Sequence, residues 1–417
     1  MTGKIPRRDA IRAAVAAMAG PAVPGLAGTP IREVRSFRLT ETAGLRRFGY
    51  PVHTMVPDSA GGRNYRLVLD GRAVPAQFRK VDGSGMTPGV ALDFIASPGP
   101  MQADRYEVQF GMEVEPGPEP RTGLRVEKRD GAYRVSQGDA LTFEIAENLV
   151  GFLRSVGSPR LGYLRGGSGG LTFGSGKVPL RDFQQELCAD EIRSSEITRE
   201  GPLAISIRSV VGNKLVPWIA TLDLTIPHSK SWIQAELTLE DPGDLTCGLG
   251  FDINLLTEGS PILVDLGAGS TVYGRIEADQ RMELVAGRAV GEAEPASGSG
   301  WVVRHGRGDA PPVFAASTPG FPRPAEGWAH VMDSRRCTAL AVADFGRKGA
   351  RDRISAAADG RLRLARDYSV RDPAPPKGRK TLAFWLHFVP MPVQVGAATS
   401  PQAILAPLRV DWDRPPR

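Results

Sequence analysis

The chain has 417 residues, 41% of them hydrophobic and 24% charged, with a net charge of +6. That length holds one large core or two smaller ones, the apolar content excludes a disordered chain, and the charge is too small for a dedicated nucleic-acid binder. Gly 49 and Pro 35 make up about a fifth of the residues, against about 12% in ordinary proteins. Such an excess is expected where many turns join short strands.

The chain opens with Pro6-Arg7-Arg8-Asp9-Ala10-Ile11-Arg12, then an Ala-rich stretch to Ala19 and small residues from Pro21 to Gly28. A twin-arginine front, a mildly apolar middle and a small-residue exit are the layout of an export leader over residues 1–28. Its middle is too short and too weakly apolar to anchor in a bilayer, and no later run is long enough. The expected location is periplasmic or secreted, with no stable membrane anchor. Without the leader the net charge is +3, which permits anionic polysaccharide partners.

The next segment, about 30–115, reads as a small β module. In Arg105-Tyr106-Glu107-Val108-Gln109-Phe110, the residues Tyr106, Val108 and Phe110 share one face, the period of a half-buried strand. Glu115-Pro116-Gly117-Pro118-Glu119-Pro120 reads as a stiff linker. A larger module follows, about 122–412. Thr221 to Ile226 and Trp232 to Glu240 alternate in the same way, with Ile233, Ala235, Leu237 and Leu239 inward and Gln234, Glu236, Thr238 and Glu240 outward. Asp70-Gly71, Asp130-Gly131 and Asp359-Gly360 each sit between two such runs, and Asp-Gly suits a type I′ hairpin. Arg181 to Ile197 reads as a weak helix, and Gly287 to Gly327 as a long surface loop. The expected fold is all-β: a small N-terminal β-barrel or sandwich, then a large antiparallel β-super-sandwich.

Most chemical motifs are missing. There is no zinc-protease motif or dinucleotide fingerprint, and the glycines of Gly166 to Lys177 are not spaced as a P-loop. Cys188, Cys247 and Cys337 are odd in number and far apart, which implies neither a disulfide framework nor a metal knuckle. His53, His228, His305, His330 and His387 are dispersed. No cofactor and no metal is expected.

The densest polar cluster is Trp328-Ala329-His330-Val331-Met332-Asp333-Ser334-Arg335-Arg336. A histidine moves a proton near neutral pH, an aspartate fixes its tautomer, and an arginine holds a carboxylate bidentately. His330 is the candidate base or acid, Asp333 its orienter, Arg335 or Arg336 the carboxylate clamp, and Tyr273 a proton donor. That set suits removal of the α-proton of a uronic acid. Gln234, Glu236, Trp328, His387 and Gln394 are the candidate substrate-binding residues. Trp218, Trp232, Trp301 and Trp385 join Trp328 as possible sugar platforms. For each of these residues a bland role in packing or solvation competes with the functional one.

Ala73-Val74-Pro75-Ala76-Gln77-Phe78-Arg79, Asp82-Gly83-Ser84 and Ala91-Leu92-Asp93-Phe94 resemble the small N-terminal domain of the rhamnogalacturonan exolyase family. Arg199-Glu200-Gly201-Pro202-Leu203 and Ile226-Pro227-His228-Ser229-Lys230-Ser231-Trp232 resemble its following β-sandwich, of the galactose mutarotase and polysaccharide lyase type. Members of that family continue into a helical toroid, whereas no helical block is read here before Arg417, and the Trp-Pro usual before Asp-Gly-Ser is absent. No catalytic residue is carried over. The resemblance implies a polysaccharide or oligosaccharide partner and, as the leading expectation, a lyase acting by β-elimination on uronic-acid-containing glycan. A non-catalytic glycan-binding or accessory protein and a mutarotase-like epimerase are the alternatives. The oligomeric state is open.

Overall fold

The structure is a computed structural model that describes residues 32–57, 59, 64–81, 89–147, 152–166, 170–175, 186–187, 191–228, 230–259, 261–287, 300–316, 324–347, 349–368, 378–393 and 399–413. The leader, Cys188, Gln394 and the Asp82-Gly83-Ser84 turn lie outside the described residues. Those described are all-β, with strands in five antiparallel sheets and one short helix, Pro401–Leu405.

Two sheets build the N-terminal module. Glu33–Thr40, Asn64–Leu69, Arg72–Val74 and Ala103–Gly111 form one with the late strand Arg409–Trp412. Tyr50–Val56, Ala76–Val81 and Gly89–Ala96 form the other. The alternation read in Arg105–Phe110 places Tyr106, Val108 and Phe110 in the core between them, where Phe37 stacks on Tyr106 with ring centroids 5.2 Å apart. The chain therefore returns to its first module at its end, because Arg409–Trp412 pairs with Glu33–Thr40.

The larger module packs an eight-stranded sheet against a nine-stranded one. Their inner faces supply Leu222, Leu224, Ile233, Leu237, Phe251, Leu284, Leu340 and Phe384 to one buried cluster. A five-stranded meander, Leu124 to Gly162, closes one side with Tyr133, Val135 and Phe143. Between the two large sheets, Arg366 donates to both carboxylate oxygens of Asp352 at 2.7 and 2.9 Å and to the carbonyls of Ala343 and Thr381. Both side chains are essentially solvent-free.

Local turn chemistry follows the sequence at two of the three Asp-Gly sites. Asp70-Gly71 and Asp130-Gly131 have positive φ at both residues, as a type I′ turn requires. At the third, only Gly360 does (φ 87°). Its N–H bonds the Ala357 carbonyl, the form in which a glycine follows a type I turn.

Two sequence expectations give way. Glu191–Arg199, which overlaps the end of the span expected to be helical, is a strand paired with Ala204–Gly212. Bulges between Ile192 and Ser194 and between Ile197 and Arg199 break its phase, which hides the period-two pattern. The segment expected as a long loop carries Trp301–Gly306 and Pro312–Ala315, strands at the edge of the eight-stranded sheet. Cys337 is a buried free thiol, and Cys247 is buried with its Sγ 3.6 Å from the Gly174 carbonyl.

The helix Pro401–Leu405 is held onto the N-terminal module. Arg47 pairs with the buried Glu41 at 2.8 Å and donates to the carbonyls of Ala403 and Ala406. Burial by itself would raise the Glu41 pKa. Arg47 and the N–H groups of Met101, Ala43 and Leu45 outweigh it and hold the carboxyl at about 2 instead of 4.5. The folded value lies below the unfolded one, so this stabilisation is complete above about pH 4.5 and is lost as the pH falls toward 2. Glu41→Gln should flatten the dependence of the urea midpoint on pH in that window. An unchanged acid limb would contradict the assignment.

Candidate functional site: a cleft between the two modules

Directly paired residues on antiparallel strands point to the same face of a sheet. On the outer face of the nine-stranded sheet one row runs Tyr273, Asp265, His330, Ala339, His387, Trp232. The next contains Trp328, Ala341, Trp385 and Gln234. Aromatic and imidazole groups are thus gathered on one surface by register alone. The N-terminal module and the helix Pro401–Leu405 cover its middle.

The set drawn from the sequence does not converge. His330 pairs with Ala339, so Arg336, three residues before Ala339, faces the other side of the sheet. There Arg336 donates to Glu258 at 2.7 Å, Asp333 at 2.9 Å and the Gly162 carbonyl at 2.6 Å. Asp333 accepts the N–H groups of Glu258, Arg335 and Arg336 and so shapes the hairpin turn. Arg335 pairs with Glu258. His330 is 3.7 Å from Asp265 instead of Asp333, and Tyr273 stands on the edge strand, 80% exposed.

The substrate-binding candidates divide. His387 is 2% exposed, has a hydrogen bond with the Thr399 backbone, and its Nε2 has no partner. Burial first, then Lys230 and His330, press its pKa down to about 3, so it is neutral at physiological pH. Its folded value lies below that of the unfolded chain, so stability declines as the pH falls from about 6.5 to 3. Trp328 is buried and donates to Glu326 at 2.6 Å. Gln234 and Trp385 reach an open space, and Glu236 accepts from Gln234 beside it at 2.6 Å.

That space is a cleft of about 270 Å³ between the modules. One wall is Trp232, Gln234, Trp385 and Thr225 from the nine-stranded sheet, and another is Ile404, Pro407 and Leu408. The third wraps the edge strand Tyr50–Val56 and brings in His53 and Asp93. Sequence reading singled out neither residue as a site.

Asp93 sits mid-strand in the apolar run Gly89–Ala96 and is 2% exposed. His53 is its cross-strand partner, with Nδ1 2.6 Å from Oδ1. The carboxylate fixes the tautomer that carries the proton on Nδ1, leaving Nε2 as the free base. The His53 side chain is about half exposed (49%), so Nε2 is open to a ligand. The same Oδ1 pairs with Arg199, at the end of the bulged strand, while Oδ2 is buried with no partner. Burial lowers the Arg199 pKa, Asp93 raises it, and the nearby charge of Arg79 opposes it. The Leu203 N–H bonds Gln77, the cross-strand neighbour of Asp93. A buried carboxylate thus joins the two modules and orients a histidine at the mouth of an aromatic cleft. Among the described residues no group of three or more metal-ligating side chains comes together.

No protein family matches this sequence, and no curated protein sequence matches it significantly. Solved structures do resemble the fold. A protein in glycosyl hydrolase family 38 from Enterococcus faecalis has TM-score 0.57 at 10% identity, over 91% of this chain and 47% of that one. An α-mannosidase from Enterococcus faecalis V583 has TM-score 0.56 at 10% identity, over 98% of this chain and 48% of that one. The chain spans about half the length of each. At such identity the likeness establishes the fold alone: an all-β protein of packed antiparallel sheets.

Proposed function

We propose that this is a carbohydrate-active protein, exported by the twin-arginine route, that takes a saccharide unit in the cleft between its modules and moves a proton on it with His53. The observation that carries the reading is the buried Asp93 holding His53 Nδ1 at 2.6 Å in a cleft that also offers Trp385 and Gln234. A half-buried indole suits the apolar face of a sugar, and the amide suits its hydroxyls. A fold shared with an α-mannosidase supports a glycan ligand.

The reaction assigned is β-elimination on a uronic-acid-containing glycan, as the resemblance to rhamnogalacturonan exolyases implies. His53 Nε2 takes the proton α to the sugar carboxylate. The released electron pair forms the C4=C5 double bond as the C4–O bond breaks. The departing oxygen takes the proton now on the imidazolium, so no water is consumed. Asp93 stabilises the transient imidazolium, and the positive charge of Arg199 and Arg79 favours the substrate carboxylate.

Incubation with a panel of uronic-acid polysaccharides should raise the near-ultraviolet absorbance of an unsaturated product. Retention of glycan without product would leave a binding protein, and absence of retention across acidic and neutral glycans would remove the carbohydrate reading. Trp385→Ala should weaken saccharide binding about tenfold, the scale of one lost aromatic platform. Calorimetry checks this, and unchanged affinity would place the sugar elsewhere. Export is tested separately: replacing Arg7 and Arg8 by lysine should retain the full chain in the cytoplasm.

A further inference from the structure

A second cleft, of about 630 Å³, opens at one end of the large sandwich. Leu141, Leu161, Phe388 and Met391 supply apolar lining, and Arg160, Arg335 and His228 supply the polar groups. Its volume falls in the range of about 300–1,000 Å³ usual for small-molecule sites.

The charges here are available. The Arg160 guanidinium is exposed and has no partner among the described residues. Arg335 donates to the main-chain carbonyl of Arg160 at 3.5 Å, and both residues line the cleft. Its ion pair with Glu258 is about half exposed on both sides, so exchange with a competing anion costs little. Glu258 would keep Arg336, its 2.7 Å partner. Arg160, Arg335 and Arg336 face two local carboxylates, Glu258 and Asp333, leaving one positive charge in excess. Burial lowers the pKa of His228. Its Nδ1 is buried without a hydrogen-bond partner, which leaves a neutral imidazole with one ring nitrogen unused.

The two clefts share a wall. Pro227 and Trp232 line the first, His228 and Ser231 the second. This divider is fixed: Gln137 donates to the carbonyls of Pro227 at 3.0 Å and Lys230 at 2.7 Å, and the buried Lys230 donates to the Phe48 carbonyl.

We infer that the second cleft binds the carboxylate of an acidic sugar unit further along the glycan held at His53, with Arg160 and Arg335 as a two-guanidinium clamp and His228 as a neutral hydrogen-bonding group. The inference rests on the glycan reading of the first cleft. Planar guanidinium groups match a carboxylate and would discriminate it from a neutral sugar.

The test is calorimetry on the full chain with a short uronic-acid oligomer and with the same oligomer after reduction of its carboxyls to alcohols. The acidic oligomer should bind at least about tenfold tighter, the effect of about one charge-assisted contact. The double variant Arg160→Ala/Arg335→Ala should shrink that difference about tenfold, leaving only the preference that Arg199 and Arg79 give the first cleft. Both side chains are surface groups, and near-ultraviolet circular dichroism checks that the fold is kept. Acidic selectivity undiminished in the double variant overturns the inference, as does equal affinity of the wild type for the two oligomers. Trp385→Ala separates the readings. If it weakens binding of both oligomers while the double variant changes nothing, the second cleft fails and the first stands. If neither variant changes binding, both fail.

Discussion

His53→Ala should reduce unsaturated-product formation by about 10²- to 10⁴-fold, the usual range for loss of a positioned general base. Saccharide affinity should change far less, because Trp385 and Gln234 remain. The side chain is half exposed, so the fold should tolerate its loss. His53→Gln keeps the size and a hydrogen bond to Asp93 but cannot accept the proton, and it should be as inactive as alanine. Activity within threefold of wild type in either variant would exclude His53 from the chemistry. Asp93→Asn probes the same dyad from its buried side. It should lose activity and also loosen the junction of the modules, since Asp93 pairs with Arg199 across it.

Asp352→Ala should destabilise the protein by about 3–5 kcal/mol, the cost of leaving a buried charge without its partner. Arg366 would keep the carbonyls of Ala343 and Thr381 but lose both carboxylate oxygens. The Gly346 N–H, 2.8 Å from Asp352, would lose its acceptor too. Replacing both residues together, Asp352→Leu with Arg366→Met, should recover much of the loss, because an apolar pair of similar volume has no charge to desolvate. Urea unfolding checks both. If the single variant lost under 1 kcal/mol, the pair would not be the clasp between the sheets that its geometry indicates.

The strands were readable where burial is one-sided. Trp232–Glu240 alternates through nine residues because one face packs in the sandwich and the other looks outward. Glu191–Arg199 was not readable, because its two bulges reset the alternation. The return of Arg409–Trp412 to the first module was also hidden, since a pairing between the two ends of a long chain leaves no local signal.

The site was readable only in part. Gln234, Trp232 and Trp385 were legible as candidate residues, and the structure places them along the cleft wall. Grouping His330 with Arg336 rested on closeness along the chain, which in a strand alternates faces. His53 and Asp93 are forty residues apart, and Arg199 is farther still. One signal was present: Asp93 is the single ionisable residue in the apolar strand Gly89–Ala96. A charge in such a strand needs a buried partner. The sequence, however, does not say which one.

The central claim is that ligand meets protein at His53. The chain has five histidines, so their ring signals can be resolved by proton–carbon correlation NMR and assigned by substitution. Titration with a saccharide that binds should shift the His53 ring resonances and leave those of His330 in place. Saturating ligand that moves His330 while His53 stays still would contradict the account.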